Sequence, residues 1–333
     1  MIADILMTLV SLGMILLSCV VFTNAIEWLG HKVHLGQGVV GSIFAAVGTA
    51  LPETVIPIIA ILSNKDGKAL EVGIGSIAGA PFMLGTLAFF ITGLAVVIYR
   101  LMGRRKLAMN ADPRVVTRDL SYFIMIYAIA VFASFLQIYL LKVVVSVILV
   151  FLYIVYLKKT FSQECEQCGD LDPLFTSRFL KAKATLPWII AQALLGLAVI
   201  ILGADLFVKY VQHLSGHLGV STLVLSIIIT PIATELPEKL NSVIWTGKKK
   251  DTLALGNITG AMVFQSSVPV VFGILFTPWH LAGVTLVTAI LALSGALFYL
   301  IWIKVTKKVH PFPLLVGGIL YAIFLIYVAS NGA

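Results

Sequence analysis

The amino-acid sequence predicts an all-α polytopic membrane protein of ten transmembrane helices, arranged as two inverted five-helix repeats. Three observations lead there. Of 333 residues, 60% are hydrophobic and only 11% charged, with a mean hydropathy of +1.05, whereas soluble domains run to about 25% charged residues. The apolar residues come in continuous runs long enough to cross a hydrocarbon layer as helices, not in the period-two alternation of an outer-membrane barrel. A short acidic motif, T-x-L-P-E, occurs inside two of those runs.

Taken in order, the runs fall at residues 4–29, 38–63, 71–99, 119–137, 139–157, 186–212, 219–246, 252–277, 279–303 and 312–329. No basic residues precede the first, and it exceeds the apolar region of a signal peptide, so a retained helix is expected. Residues 119–157 are too long for one span and are divided near Gln137. The most polar connection, Lys158 to Lys183, separates two groups of five runs. Three regions follow: a first transmembrane repeat at 1–157, a linker loop at 158–185 and a second repeat at 186–333.

The net charge of +8 does not point to nucleic acid, because eighteen of the 23 Lys and Arg residues fall in alternate loops, which is the pattern that orients membrane helices. By that rule both termini face outward and the central loop is cytoplasmic, in a plasma or inner membrane. Five spans per half make the halves inverted. Cys19 lies in the first run, and Cys165 and Cys168 form a lone CxxC in the polar loop. A zinc site would need a second pair, so a solvated loop is expected.

The motif residues Thr49, Leu51, Pro52 and Glu53 recur at an offset of 185 as Thr234, Leu236, Pro237 and Glu238. Each motif is followed by a glycine-rich segment, GSIAGA at Gly75 to Ala80 and GNITGA at Gly256 to Ala261, offset by 181. Carboxylates are costly in hydrocarbon and normally face a cavity, a partner or an ion. A helical proline releases the carbonyl four residues earlier: Pro52 frees Gly48, Pro57 frees Glu53 and Pro237 frees Ala233. Carboxylate, hydroxyl and carbonyl oxygens together suit a hard cation. Duplication in inverted halves is the signature of a secondary transporter with its site at the midplane. Gly75, Gly79, Gly256 and Gly260 serve close helix packing as readily as coordination. No H-E-x-x-H, G-x-S-x-G or nucleotide loop is present, so an enzyme is not expected and no cofactor is implied. A passive channel is the remaining rival.

On these residues the chain resembles the calcium/cation antiporter superfamily, which includes sodium/calcium exchangers. The resemblance runs through Gly48 to Glu53 and Ala233 to Glu238, matching G/A-T-S-L-P-E, and through the two glycine-rich segments, matching G-N-x-x-G-S. It implies that Glu53 and Glu238 bind the transported metal cation, with oxygens from Thr49 and Thr234. It further implies ion-coupled antiport, calcium leaving the cytoplasm against sodium or protons, with another divalent or monovalent cation as the alternative. The partners are inorganic cations and the lipid bilayer, and oligomeric state is left open. This chain departs from the pattern at Ala50 and Glu235, where the family has serine, and at Leu84 and Gln265, where it has Asn or Asp. Ala80 and Ala261 replace serine, and Ser76 stands where the second repeat keeps Asn257. Glu235, Asn257 and Gln265 therefore join the candidate cation-binding set.

Glu235 precedes Lys239 by four residues, which also predicts an ion pair. Asp205 and Lys209 share that spacing and are expected to pair near a helix end. Glu27, Asp66 and Glu71 are expected to be solvated, and His31, His34, His213 and His217 to lie at the membrane interface.

Overall fold

The computed structural model describes residues 1–32, 45–63, 67–161, 173–176 and 184–331, with the side chains of residues 30–31, 45–50, 161 and 236–238 left aside. Cys165, Cys168, His34 and Asp66 lie outside the described residues. Among the described residues every regular element is helical. In chain order these are α1 (Ile2–Lys32), α2 (Ala45–Leu62), α3 (Lys68–Met83), a π-helical turn (Leu84–Ala88), α4 (Phe89–Leu101), α5 (Pro113–Ala133), α6 (Tyr139–Phe161), α7 (Leu186–Leu218), α8 (Thr222–Gly247), α9 (Asp251–Gln265), α10 (Val268–Phe276), α11 (Val284–Thr306) and α12 (Pro311–Ser330). Lys68–Leu101 forms one continuous rod through the π turn.

Among the described residues, eight helices are long and apolar enough to cross a membrane. The two motif helices, α2 and α8, contain further apolar helical stretches at Leu51–Leu62 and Thr222–Glu235 among the described residues.

Several boundaries differ from expectation, each for a local reason. α5 starts at Pro113 rather than 119, because Asp112 caps it by accepting a 2.8 Å hydrogen bond from the Arg114 N–H, with Pro113 in the first turn. An apolar window cannot see those polar first turns. The helix starting at 279 in the sequence reading begins instead at Val284. Trp279 has φ 43° and Gly283 φ 53°, and the buried Trp279 indole donates to the Ala130 carbonyl at 3.0 Å, fixing a docked turn. The run 252–277 is two helices, α9 and α10, broken at Ser266 and Ser267.

Lipid gives helices no hydrophobic reason to associate, so close packing at small residues holds the bundle. α1 lies antiparallel along α7, where a Cβ on Gly203 would fall 2.9 Å from Ile15 Cγ1 and one on Gly196 would fall 3.1 Å from Phe22 Cβ. The Gly85 and Thr86 carbonyls of the π turn press against the bare faces of Gly295 on α11 and Gly317 on α12. A side chain at either glycine would expel the turn.

Polar contacts tie the helix ends together. At one end, Asn24 on α1 accepts from Gln192 on α7 (3.0 Å) and from the Phe175 N–H (3.2 Å). The loop after α4 is joined to the α8–α9 turn through Arg105 and Asp251. At the other end, Asp4 meets His213 at 3.5 Å and His217 at 3.2 Å, and Lys142 on α6 donates to the Pro278 carbonyl. The two histidines are half exposed, in keeping with an interfacial place. Asp205 and Lys209 do not pair: among the described residues no ion pair joins them, both are exposed, and the Lys209 ammonium lies 5.9 Å from the Tyr210 ring centre.

Candidate cation site

α2 and α8 meet where the motifs lie. Leu51, Val55 and Ile56 of α2 share an apolar cluster with Leu225, Ile229 and Ala233 of α8, backed by α1 and α7. Glu53, on the same stretch of α2, is only 6% exposed. α2 continues as a helix through Pro52 and Pro57, so the carbonyls of Gly48 and Glu53 lose their usual donors. Thr49 and Glu238 lie within α2 and α8, and their side chains are outside the described set.

The second repeat gathers the other candidates around α8 and α9. Glu235 and Lys239 are both 1% exposed, and the ammonium stands 3.3 Å from Glu235 Oε2. Lys239 also donates to the Asn257 carbonyl at 3.3 Å, and Gln265 Nε2 donates to Glu235 Oε1 at 3.0 Å. Asn257 Nδ2 donates to Ser242 Oγ at 3.1 Å. The expected ion pair of Glu235 with Lys239 is thus formed, and the structure brings Glu235, Asn257 and Gln265 into one hydrogen-bonded group. The Thr234 hydroxyl is buried and donates to the Thr230 carbonyl at 3.0 Å.

The glycine-rich segments divide in role. A Cβ at Gly79 would fall 2.5 Å from the Ile227 carbonyl oxygen, and one at Gly75 would fall 2.8 Å from that of Leu223. These glycines therefore let α3 seat directly on α8. Around Gly256 nothing among the described residues lies within 4 Å of such an atom.

Sequence reasoning missed three features. Both third-span equivalents are interrupted at corresponding positions: at the offset of 181, Gly85 and Thr86 of the π turn match Ser266 and Ser267 of the α9–α10 break. π turns are frequent at functional sites, and broken helices inside a membrane are tolerated where protein or a water-filled cavity covers the backbone. Ser226 and Thr230, with Thr234 and Glu238, repeat every four residues along α8, and the first two hydroxyls are buried without a hydrogen-bond partner among the described residues. A four-residue polar spacing inside an apolar run was the available signal. Asp119 on α5 is also buried, accepting from Thr259 at 2.7 Å and Arg118 at 3.0 Å, which fixes α9 against α5.

A bundle of membrane helices with duplicated acidic helices and broken partners defines a secondary-transporter type of fold. The chain belongs to the sodium/calcium exchanger protein family, matching it over residues 4–159 and 188–331. That family consists of exchangers rather than enzymes. An uncharacterized membrane protein of Methanocaldococcus jannaschii, MJ0091, is 24% identical over 306 residues, covering 88% of this chain and 90% of its own. Among solved structures, the H+/Ca2+ exchanger CAX superposes with a TM-score of 0.69 at 14% identity, covering 98% of this chain and 86% of that one. The sodium-calcium exchanger NCX_Mj gives 0.56 at 18% identity, covering 99% and 98%. At such identities the likeness is one of fold.

Proposed function

We propose that this chain is a cation antiporter that moves a divalent cation, calcium first, out of the cytoplasm in exchange for sodium or protons. Glu53 and Glu238 are its central ligands. The observation that carries this reading is the buried Glu53 carboxylate on a helix that meets its motif-bearing counterpart. Glu235 and Lys239 cancel one another, so the two motif carboxylates leave a formal charge of −2, which suits one divalent ion. The same carboxylates can then be reloaded by monovalent ions or protons. Competition for one site, alternately open to each side, gives exchange without a distant switch. Thr49, Thr234 and the carbonyls released by Pro52 and Pro237 complete the oxygen donors; Asn257 and Gln265 act through Glu235 and Lys239. The names of the two solved neighbours, exchangers of H+ and of sodium for calcium, agree with the cargo proposed.

We further infer ten crossings in two inverted repeats, residues 1–157 and 186–333, with α2 and α8 among the crossing helices. The contacts between helix ends support this by parity. Asp4 begins α1 and meets His213 and His217 near the end of α7; six passes return the chain to the same end, but without α2 there would be five. Lys142 opens α6 and reaches Pro278 just past α10, which takes four passes with α8 and three without it. From the loop charges, residues 100–118 and 158–183 face the cytoplasm and both termini face outward. Thiol-specific labelling of single cysteines introduced at Gly103, Lys248 and Gly216 checks the assignment: the first two are expected to react from the cytoplasmic side and the third from outside. A cytoplasmic C-terminus would overturn the inverted arrangement.

Reconstituted protein with calcium on one side and imposed sodium, potassium or pH gradients decides the function. Uphill calcium movement driven by an opposing gradient is expected, and flux that only runs downhill would identify a channel instead. Leu84, where the family places an oxygen donor, reduces the ligands open to sodium. Transport is therefore expected to depend steeply on pH and weakly on sodium. Steep sodium activation at fixed pH, with no proton movement, would reject proton coupling.

A further inference from the structure

We propose that the Lys239 ammonium is a built-in monovalent cation, occupying on a tether an oxygen-lined subsite of the second repeat that a free alkali ion would otherwise fill. This rests on the reading of α2 and α8 as the cation site and adds a statement about its occupancy. The ammonium sits 3.3 Å from a carboxylate oxygen, Glu235 Oε2, and 3.3 Å from a backbone carbonyl, that of Asn257, at 1% exposure. Those are hard oxygen donors, of the kind that hold metal cations. Gln265 grips the other oxygen of Glu235 and so fixes the direction in which the first one points.

Comparison of the repeats gives the second line of argument. The positions of Glu235 and Lys239 correspond at the 185 offset to Ala50 and Thr54, and those of Asn257 and Gln265 at the 181 offset to Ser76 and Leu84. The first repeat thus has neither the carboxylate nor the ammonium, nor the amide that orients the carboxylate. Carboxylate and ammonium are present together or absent together, as a neutral unit. A carboxylate alone would raise the formal charge of the site to −3 and demand a further mobile cation. With Lys239 in place that charge is met by a group that cannot leave, so this subsite carries no ion across. Lys239 directly follows Glu238 in the sequence of α8, so the tethered charge belongs to the same helix as the motif carboxylate.

The test uses the purified full chain and Lys239→Ala, which opens the space while keeping Glu235. Thermal unfolding is followed in choline chloride and in lithium, sodium and potassium chloride at matched ionic strength, and bound alkali ion is counted with radioactive sodium and a potassium analogue such as rubidium. Lys239→Ala is expected to melt several degrees below wild type in choline and to recover saturably with one of the alkali ions. It should bind one alkali ion more per chain than wild type does. Glu235→Gln/Lys239→Ala should lose that gain, and Glu235→Gln/Lys239→Met should depend on the salt no more than wild type does. A Lys239→Ala chain that no alkali ion restores, including one recovered only unfolded, overturns the proposal, as does restoration by divalent ions alone. The readout is binding and melting, so it stands apart from the antiport reading, which fails if the wild-type chain shows no gradient-driven exchange.

Discussion

Glu53→Gln and Glu238→Gln are each expected to abolish cation exchange, by more than about a hundredfold, while leaving a folded, monodisperse protein. Glutamine keeps the shape and one oxygen acceptor but removes the charge. At about 4 Å and an effective dielectric near 20, a unit charge and a divalent ion attract by roughly 8 kcal/mol before desolvation is repaid. Retaining only about 3 kcal/mol of that as net binding already corresponds to more than a hundredfold in affinity. Folding is spared because a neutral amide is less costly to bury than a carboxylate, and Glu53 is only 6% exposed. The measurement is ion-driven flux in liposomes beside thermal unfolding of the same preparation. Wild-type flux in either variant would defeat the central role given to the two glutamates, and loss of flux with loss of fold would assign them to structure.

The membrane class and the repeated acidic motif were legible in the sequence because both rest on strong local signals. Hydrocarbon imposes long apolar runs, and two copies of T-x-L-P-E at one offset need no knowledge of packing. What was not legible depends on partners distant in the chain. The interruption of the 252–277 run at Ser266 and Ser267 breaks no apolar pattern badly enough to show. The π turn at Leu84–Ala88 is accommodated by Gly295 and Gly317, more than two hundred residues away. The same limit misplaced the start of α11, where Trp279 is drawn aside by the Ala130 carbonyl. Spacing alone predicted two ion pairs of identical form. Glu235 with Lys239 is real because both are buried, and a lone charge there would be costly. Asp205 and Lys209 are exposed, so solvent leaves nothing to enforce the pairing. Arg105 was counted as one more loop cation that orients the helices, and its burial could not be read from its neighbours in sequence.

That arginine carries the other large expected effect. Arg105→Met should destabilise the protein by about 3–5 kcal/mol, the usual result of removing one partner from a buried pair. The guanidinium holds Asp251 through two parallel bonds, 2.7 Å to Oδ1 and 2.8 Å to Oδ2, with side-chain exposures of 2% and 0%. Its remaining donors reach the carbonyls of Thr246, Lys106 and Ala108, and Asp251 Oδ2 also accepts from the Asn110 N–H at 2.7 Å. One side chain therefore closes the loop after α4 and fastens it to the turn between α8 and α9, the two helices that carry Glu235, Glu238, Asn257 and Gln265. Arg105→Lys should rescue little, since a single ammonium cannot reproduce the planar fork. Arg105→Met combined with Asp251→Asn should be less damaging than the sum of the two single changes, because the stranded carboxylate is gone. Melting of the four proteins in detergent, repeated at low and high salt, checks this. A loss below about 1 kcal/mol that shrinks further as salt rises would mark an ordinary surface pair and remove Arg105 as the fastening between the two halves.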